Sequence, residues 1–498
     1  MSESSLIKSR NFIINSISII FIMCIISVFV VAVYSITKKA ILVPFSTIAF
    51  IIPVFYFSRA KFFHKNINHD IIWIVFQILS FIIMLFATFK LEVDFSWDWG
   101  LIIRQASQGV LGEEIEYFHY YAQYPNNQFL FCALSAFFHI IKWIIPTADI
   151  QVFKSASMVL ACTMTQVTIT FIYLIICRIY NKKIGLLAGI FALLGLHYYL
   201  YSQFAYTDIP AMLIMTIAVY LFVCSINSDK KQLYYIVIAI LGGLVFKIKV
   251  MAFILFIAIA IDILLNTKGI KNTIKNLIIY VITILIVISS LSAVLNYSFK
   301  YNDEIYDKYK YPPTHWIMMG LGGTGGYNEE DVMYTMTSGN YEQKVKNNIT
   351  IIKKRICEKG IFGMAKHIFC TKLKRVWSEP MCAGDDYVSR KPISNGIFQR
   401  IFSMTGDLHY ICLLYAGGYY IFSILGVLIS AFYKSRQNRM FAKLTFIGIV
   451  MFMSLWECNS RYIYMFMPII LLLTVDGWIE FIRKIKTVGF FDHKLVEK

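Results

Sequence analysis

Charged side chains are scarce in this chain. Asp, Glu, Lys and Arg make up 15% of its 498 residues, where a soluble domain carries about 25%. The deficit excludes a water-soluble enzyme wrapped in a charged shell. No internal repeat is visible, so repeat architectures and inverted-repeat transporters find no support. The one glycine cluster is not followed by Gly-Lys-Ser/Thr and is not a P-loop. The ten cysteines are scattered: Cys24, Cys162, Cys177 and Cys224 fall in apolar runs, and Cys357, Cys370 and Cys382 share one polar stretch. That spacing specifies neither a zinc site nor a disulfide framework. No nucleic-acid motif accompanies the formal charge of +18. Lys and Arg instead flank apolar runs, where they set topology and meet anionic headgroups.

Apolar residues (AVILMFWYC) are abundant, at 58%. They fall in runs of about 16–25, the length of a helix crossing a hydrocarbon core roughly 30 Å thick. Backbone in lipid must satisfy its own hydrogen bonds, so the runs predict helices. The expected spans are 12–36, 41–58, 71–89, 155–177, 184–203, 210–227, 233–248, 251–266, 277–297, 410–432, 443–457 and 462–481. The first is too long for a signal peptide and is expected to stay as a helix. The fold class is therefore an all-α polytopic membrane protein of about 12 transmembrane helices.

Basic flanks orient it. Lys8 and Arg10, Arg59, Lys61 and Lys65, Arg178, Lys182 and Lys183, Lys230 and Lys231, Lys268, Lys271 and Lys275, Lys434, Arg436, Arg439 and Lys443, and Arg483, Lys484 and Lys486 all fall on the cytoplasmic side if 129–145 lies along the membrane. Lys38 and Lys39 are a small exception. Both termini are then cytoplasmic. Residues 1–297 form a transmembrane module with a first outer loop at 90–128 and the interfacial helix 129–145. Residues 298–408 form a small extracytoplasmic domain, and 409–498 the last helices and a cytoplasmic tail.

Chemistry concentrates on the outer side. The first outer loop begins with Glu92, Asp94 and Asp98, any of which places a general base at the membrane surface; as a bland alternative, they are solvated interfacial acids beside Trp97 and Trp99. Tyr124, Asn126 and Asn127 end a run of aromatics and amides suited to sugar rings and hydroxyls. Asp208 precedes Pro210 and reads in isolation as a helix cap. Lys247 and Lys249 interrupt an apolar stretch, as a functional charge or as snorkelling lysines. Glu457 and Arg461 join the last two spans; they pair with each other, or Arg461 holds a phosphate. His315 and Trp316 precede five glycines in seven residues, at 320–326, which let backbone approach a ligand. Residues 343–376 read as a basic amphipathic helix pair suited to anionic lipid.

The order and spacing of these features resemble the GT-C superfamily of membrane glycosyltransferases, and within it the family 39 type. That type includes protein O-mannosyltransferases and the aminoarabinose transferase of lipid A. The matching segments are Asp98-Trp99-Gly100-Leu101-Ile102-Ile103-Arg104-Gln105-Ala106, Thr207-Asp208-Ile209-Pro210, Gly242 to Lys247, and Arg461-Tyr462 with Pro468. They span roughly residues 71–480, each is short, and two helices rather than one precede the acidic loop. The Asp-Glu pair and following His-Pro of many relatives are missing, which leaves both Asp94 and Asp98 as candidate bases. The resemblance implies transfer of a sugar from a polyprenyl-phosphate donor to an extracytoplasmic glycan, lipid or protein, with inversion. Asp98, Asp94 and Asp208 would be catalytic. Arg461, Lys247 and Lys249 would hold the donor phosphate, and Tyr124, Asn126, Asn127, His315, Trp316 and Glu457 would contact sugar or acceptor. No metal ligands are assigned and a divalent cation stays open. The alternatives are a polysaccharide polymerase or ligase using lipid-linked oligosaccharide, and a transporter without chemistry. Acids gathered at the outer interface rather than mid-membrane favour an enzyme.

Overall fold

The computed structural model describes residues 3–59, 68–266, 269–433 and 439–485. Of the orienting cations, Lys61, Lys65, Lys268, Lys434, Arg436 and Lys486 lie outside them, as does the tail after 485. Helix dominates. The only strand-like pairing among the described residues is an antiparallel bridge between Val93 and Pro392. Helices of twelve residues or more are α1 (Glu3–Lys39), α2 (Val43–Arg59), α3 (His69–Lys90), α4 (Trp97–Leu111), α5 (Gln128–Ile144), α6 (Ile150–Ile179), α7 (Lys182–Leu193), α8 (Asp208–Ser225), α9 (Lys231–Ile248), α10 (Ile254–Asn266), α11 (Ile270–Phe299), α12 (Tyr341–Lys366), α13 (His409–Ala431), α14 (Met440–Leu455) and α15 (Met467–Ile485).

Local chemistry sets several starts. The side chains of Asn68, Asp149 and Asn181 accept backbone N–H groups at the first turns of α3, α6 and α7, and Asn340 forms a capping box with Gln343 before α12. Among the described residues eight helices are long and apolar enough to cross a membrane, including Pro125–Ile144; Val43–Tyr56, Val250–Asn266 and Met440–Leu455 are shorter apolar helices. Outward faces carry large apolar side chains, as at Ile278, Ile282, Leu285 and Ile286 of α11. Water would penalise such a face, whereas lipid solvates it.

Three expected spans are broken. The 184–203 run stops at Leu193 and restarts as Leu196–Tyr201; a side chain at Gly195 would meet the His197 ring at 2.6 Å. The 251–266 run opens with a 3₁₀ turn at Val250–Phe253. The last run is a short turn, Arg461–Tyr464, followed by α15 with Pro468 in its first turn, where the missing N–H costs nothing. The second and third breaks leave Lys249 and Arg461 at helix ends.

Helices α3 and α6 run antiparallel. At one end Asp70 accepts from Tyr173 at 2.6 Å and pairs with Lys182. At the other, Glu92 pairs with Lys154 at 2.6 Å. The 93–149 stretch therefore leaves and rejoins the bundle at one end. Within it α4 and α5 lie side by side and parallel: Lys142 donates to the Val110 carbonyl near their C-termini, while Asp98 and Asn127 share Tyr206 near their N-termini. Phe138 of α5 stacks on Phe153 of α6 at 4.9 Å.

The 298–408 stretch is packed onto the bundle. Leu373, Val376, Trp377, Met381 and Val388 belong to the same buried cluster as the long helices. Trp377 meets Phe446 of α14 at 5.3 Å. Cys458 N–H donates to Gly325 and Glu457 N–H to Trp316, so the 312–326 segment pins the loop between α14 and α15.

Candidate functional site

The site forms where the start of α8, the end of α9 and the turn before α15 meet the first acidic loop. Asp208 is the first residue of α8 and is 1% exposed. Its Oδ1 accepts from Lys249 Nζ at 2.7 Å, and Arg461 Nε lies 3.5 Å from Oδ2. Lys249 is available because α9 ends at Ile248, and Arg461 because α15 starts late. One carboxylate thus faces two cations. Burial pulls the Lys249 ammonium below its ordinary value, and Asp208 opposes that shift.

An aromatic cage surrounds the guanidinium. Arg461 Cζ sits 5.1 Å from the Trp97 ring, 5.2 Å from Tyr206, and 5.4 Å from both Tyr387 and Tyr462, all within cation–π range. Nη1 donates to the Tyr387 hydroxyl at 3.0 Å. Glu457 accepts from the Tyr462 hydroxyl at 2.6 Å, and burial pushes its carboxyl above the usual range.

Asp98 approaches from the first turn of α4. Its Oδ2 lies 3.3 Å from the Tyr206 hydroxyl, which also lies 3.4 Å from Asn127 Oδ1. Asn127 donates to Tyr120 at 2.7 Å and accepts from Asn126 at 3.0 Å. Tyr206 joins the acid loop to the arginine cage. Trp97, just before Asp98, has φ +39°, a strained value for a bulky residue and of a kind that gathers at functional sites. Tyr124, Trp316 and Trp456 continue the aromatic wall, with centroid distances of 6.1 and 6.5 Å.

The three loop acids separate. Glu92 is taken by Lys154. Asp94 is exposed and accepts its neighbour's N–H. Asp98 alone of the three reaches the tyrosines of the cage. Asp208 makes no capping hydrogen bond, since Thr207 occupies the N-cap and the Asp208 carboxylate turns to Lys249 and Arg461. That corrects the capping reading; a carboxylate held by two buried cations orients them. Lys249, rather than Lys247, reaches Asp208. Arg461 turns to Asp208 and Tyr387 instead of pairing with Glu457.

His315 is fully buried, 2.8 Å from Thr335 Oγ1 and 4.4 Å from the Tyr311 ring centroid. Burial lowers its imidazole to about 4, so it belongs to the support under Trp316. Four of the five glycines at 320–326 approach protein rather than a free surface; Gly323 faces open space. A Cβ at Gly320 would strike the Leu455 carbonyl at 2.5 Å, one at Gly322 the Arg355 guanidinium at 2.7 Å, and one at Gly325 the Lys372 stem at 2.8 Å. Arg355 forms a bidentate pair with Asp331. Lys372 donates to the carbonyls of Gly320 and Trp456, and burial lowers it to about 8. The basic stretch 343–376 thus turns Arg355 and Lys372 inward, leaving Lys353, Lys354, Lys366 and Lys374 exposed. Gly360, with φ +58° and ψ −175°, divides it into the expected pair of helices.

Tyr387 carried no sequence signal: it is one tyrosine in a loop, 74 residues from Arg461. Among the described residues all ten cysteines are unpaired thiols, and no group of three or more His, Cys, Asp or Glu converges as a metal set.

These features define an all-helical integral membrane protein with a charged, aromatic-lined site at one end of its bundle. A family model described as conserved hypothetical integral membrane protein matches residues 6–479, and the chain belongs to that family. No curated protein matches it. Among solved structures it is similar to the archaeal oligosaccharyltransferase AglB from Archaeoglobus fulgidus in complex with an inhibitory peptide and a dolichol-phosphate. The TM-score is 0.43 and the identity 16%, over 84% of this chain and 52% of the other. The apo form of the Archaeoglobus fulgidus oligosaccharyltransferase gives 0.43 and 15%, over 87% and 53%. The chain spans about half the length of these structures.

Proposed function

We propose that the protein transfers a sugar from a polyprenyl-phosphate donor to an acceptor hydroxyl at the outer membrane face. In this reading α5 lies along the membrane, so that the 93–149 excursion, Asp208 and Arg461 share the extracytoplasmic side. The observation that carries the proposal is the two-to-one ratio of cations to carboxylate at Asp208, set beside Asp98.

The Asp98 carboxylate takes the acceptor's proton as its oxygen bonds the anomeric carbon. The bond from that carbon to the phosphate oxygen breaks, and the departing oxygen keeps the electron pair. A phosphodiester with one negative charge becomes a monoester with two, which a site with spare positive charge stabilises. Arg461 and Lys249 supply it, and Asp208 fixes both in place. One in-line displacement inverts the anomeric configuration. The aromatic wall from Tyr124 to Trp456 suits sugar faces and the first prenyl units.

Membranes containing the protein, assayed with a panel of radiolabelled polyprenyl-phosphate sugars, test this reading. Transfer of label from at least one donor, abolished in Asp98→Asn, is the expected result. A folded protein that moves label from none of them overturns it.

A further inference from the structure

The basic stretch 343–376 has an outer surface that the site does not use. Its first arm runs across the end of the bundle. Lys344 donates to the carbonyls of Asp307 and Lys308, a short way past the end of α11. About three turns later, Arg355 donates to the Met318 carbonyl. The arm therefore leads from α11 toward the end of α14, where a Cβ at Gly320 would meet the Leu455 carbonyl. At Gly360, with φ +58°, the chain turns and the second arm comes back. His367 Nε2 lies 3.0 Å from the Gly320 carbonyl, and Lys372 bonds the carbonyls of Gly320 and Trp456. The turn between the arms projects past that contact.

The turn is apolar and open. Phe362 is 91% exposed and Ile361 87%. Ile361, Ala365 and Phe369 follow at spacings of four along the second arm and are all exposed; Ile356 adds to them from the first arm. Lysines ring this surface. Lys353, Lys354, Lys359 and Lys366 lie within about two helical turns of Gly360. Glu358 is the one acid in residues 343–376, and it lies 3.8 Å from Lys354 in an exposed pair. Two observations say what covers the turn. Met451 and Leu455 of α14 are exposed large apolar residues on a membrane helix, and the second arm and Leu455 meet at Gly320. The apolar turn thus adjoins a lipid-facing surface. Its charge is of one sign, the complement of anionic headgroups. Apolar side chains ringed by lysines are the pattern of a helix lying in a membrane interface.

We propose that the turn at 356–369 docks on the lipid leaflet at its end of the bundle, with Ile361, Phe362 and Phe369 among the acyl chains and Lys353, Lys354, Lys359 and Lys366 on anionic headgroup phosphates. The inward faces of the two arms hold the 312–326 segment, so the lipid contact braces the loop that carries Glu457 and Arg461. It holds whichever reaction the Asp98 site performs.

The test uses the full-length protein in nanodiscs holding one copy each. Cys357 and Cys370, the two exposed thiols among the described residues, are replaced by Ser. Phe362→Cys carries an environment-sensitive fluorophore, and Glu342→Cys, exposed at the start of the first arm, carries the same label as the water-facing control. The protein with neither added cysteine supplies the background. In phosphatidylcholine mixed with phosphatidylglycerol, the label at 362 should emit to the blue of the control. Doxyl lipid should quench it several-fold more strongly than the control, and aqueous iodide several-fold less. Changing Lys353, Lys354 and Lys366 together to Gln, or raising the salt, should remove the shielding gained from phosphatidylglycerol. All three lysines are exposed, so thermal unfolding of that variant in detergent should match the parent. Iodide access at 362 equal to the control in both lipids overturns the proposal. So does equal shielding with and without phosphatidylglycerol, which would leave the lysines no part. Shielding that appears only in discs holding two copies assigns the turn to a second copy of the chain and overturns it as well.

Discussion

The two ends of α14 each carry an arginine–aspartate cluster, and they differ in closure. At one end Arg439 pairs with Asp476 at 3.0 Å; Tyr180 donates to Asp476 at 2.7 Å and accepts from Arg439 at 3.2 Å. Three groups from three parts of the chain bond one another in a triangle. At the other end Asp208 serves both Lys249 and Arg461, and the Arg461–Asp208 contact is long at 3.5 Å. The first arrangement joins helices. The second sets two cations against one carboxylate, beside Asp98 and an aromatic wall. A buried charge pair is weak evidence for stability and no evidence for function by itself; what distinguishes the second cluster is the nearby Asp98 and the aromatic cage.

The comparison breaks most sharply at the base. Asp98→Asn keeps the size of the side chain but cannot take the proton, so transfer should fall by about 10²–10⁴-fold with donor binding intact. Asp94→Asn in the same loop should stay within about twofold of the parent. The reverse order in steady-state rates would move the base to Asp94. Neither change should alter anything at the Arg439 end.

Next come the two aspartates. Removing the carboxylate from either cluster strands buried positive charge, which costs about 3–5 kcal/mol. Asp208→Asn and Asp476→Asn should both lower the midpoint of thermal unfolding. Only Asp208→Asn should also raise donor KM in the protein that survives. Loss of donor affinity in Asp476→Asn would show that the two ends are not separate.

The arginines sharpen the contrast. Arg461→Lys keeps the charge but loses the planar fork and much of the contact with four rings. Donor KM should rise about 10–100-fold, the worth of one or two charged hydrogen bonds. Arg439→Lys should leave donor KM unchanged. Equal KM values in both variants would remove Arg461 from the phosphate site.

The smallest effect concerns support. His315 titrates near 4 when folded and near 6.5 when unfolded. The unfolded chain therefore binds the extra proton first, and stability is full above about pH 6.5 and lost as pH falls toward 4. At pH 5 the loss should be about 2 kcal/mol relative to pH 7.5, read as a lower unfolding midpoint that His315→Gln no longer shows. Because the 312–326 segment pins the Arg461 loop, proteolysis at low pH should open that end before the Arg439 end.

Much of the helical framework was legible in the sequence because lipid forces backbone pairing within each apolar run, and run length then sets helix length. Asp98, Asp208, Lys249 and Arg461 were legible as charges at the ends of such runs, where ionic groups are expensive unless used. Their division of labour was not. Whether Asp208 caps a helix or holds two cations depends on where α9 stops and α15 starts, and Pro468 in the first turn of α15 shows how a missing N–H sets such a start. Tyr387 and Tyr206 enter the cage through contacts across the bundle that no local pattern encodes. The glycines at 320–326 suggested a ligand, but tertiary packing filled the space at all of them except Gly323 with Arg355, Lys372, Arg375 and the chain near Trp456. The amino-acid sequence by itself determined an all-helical membrane protein with charge at one interface, because hydrophobic length and basic flanks are local quantities. Only the tertiary structure decided which acid is paired, which is free and which cation is in surplus, because those depend on distances between residues far apart in the chain.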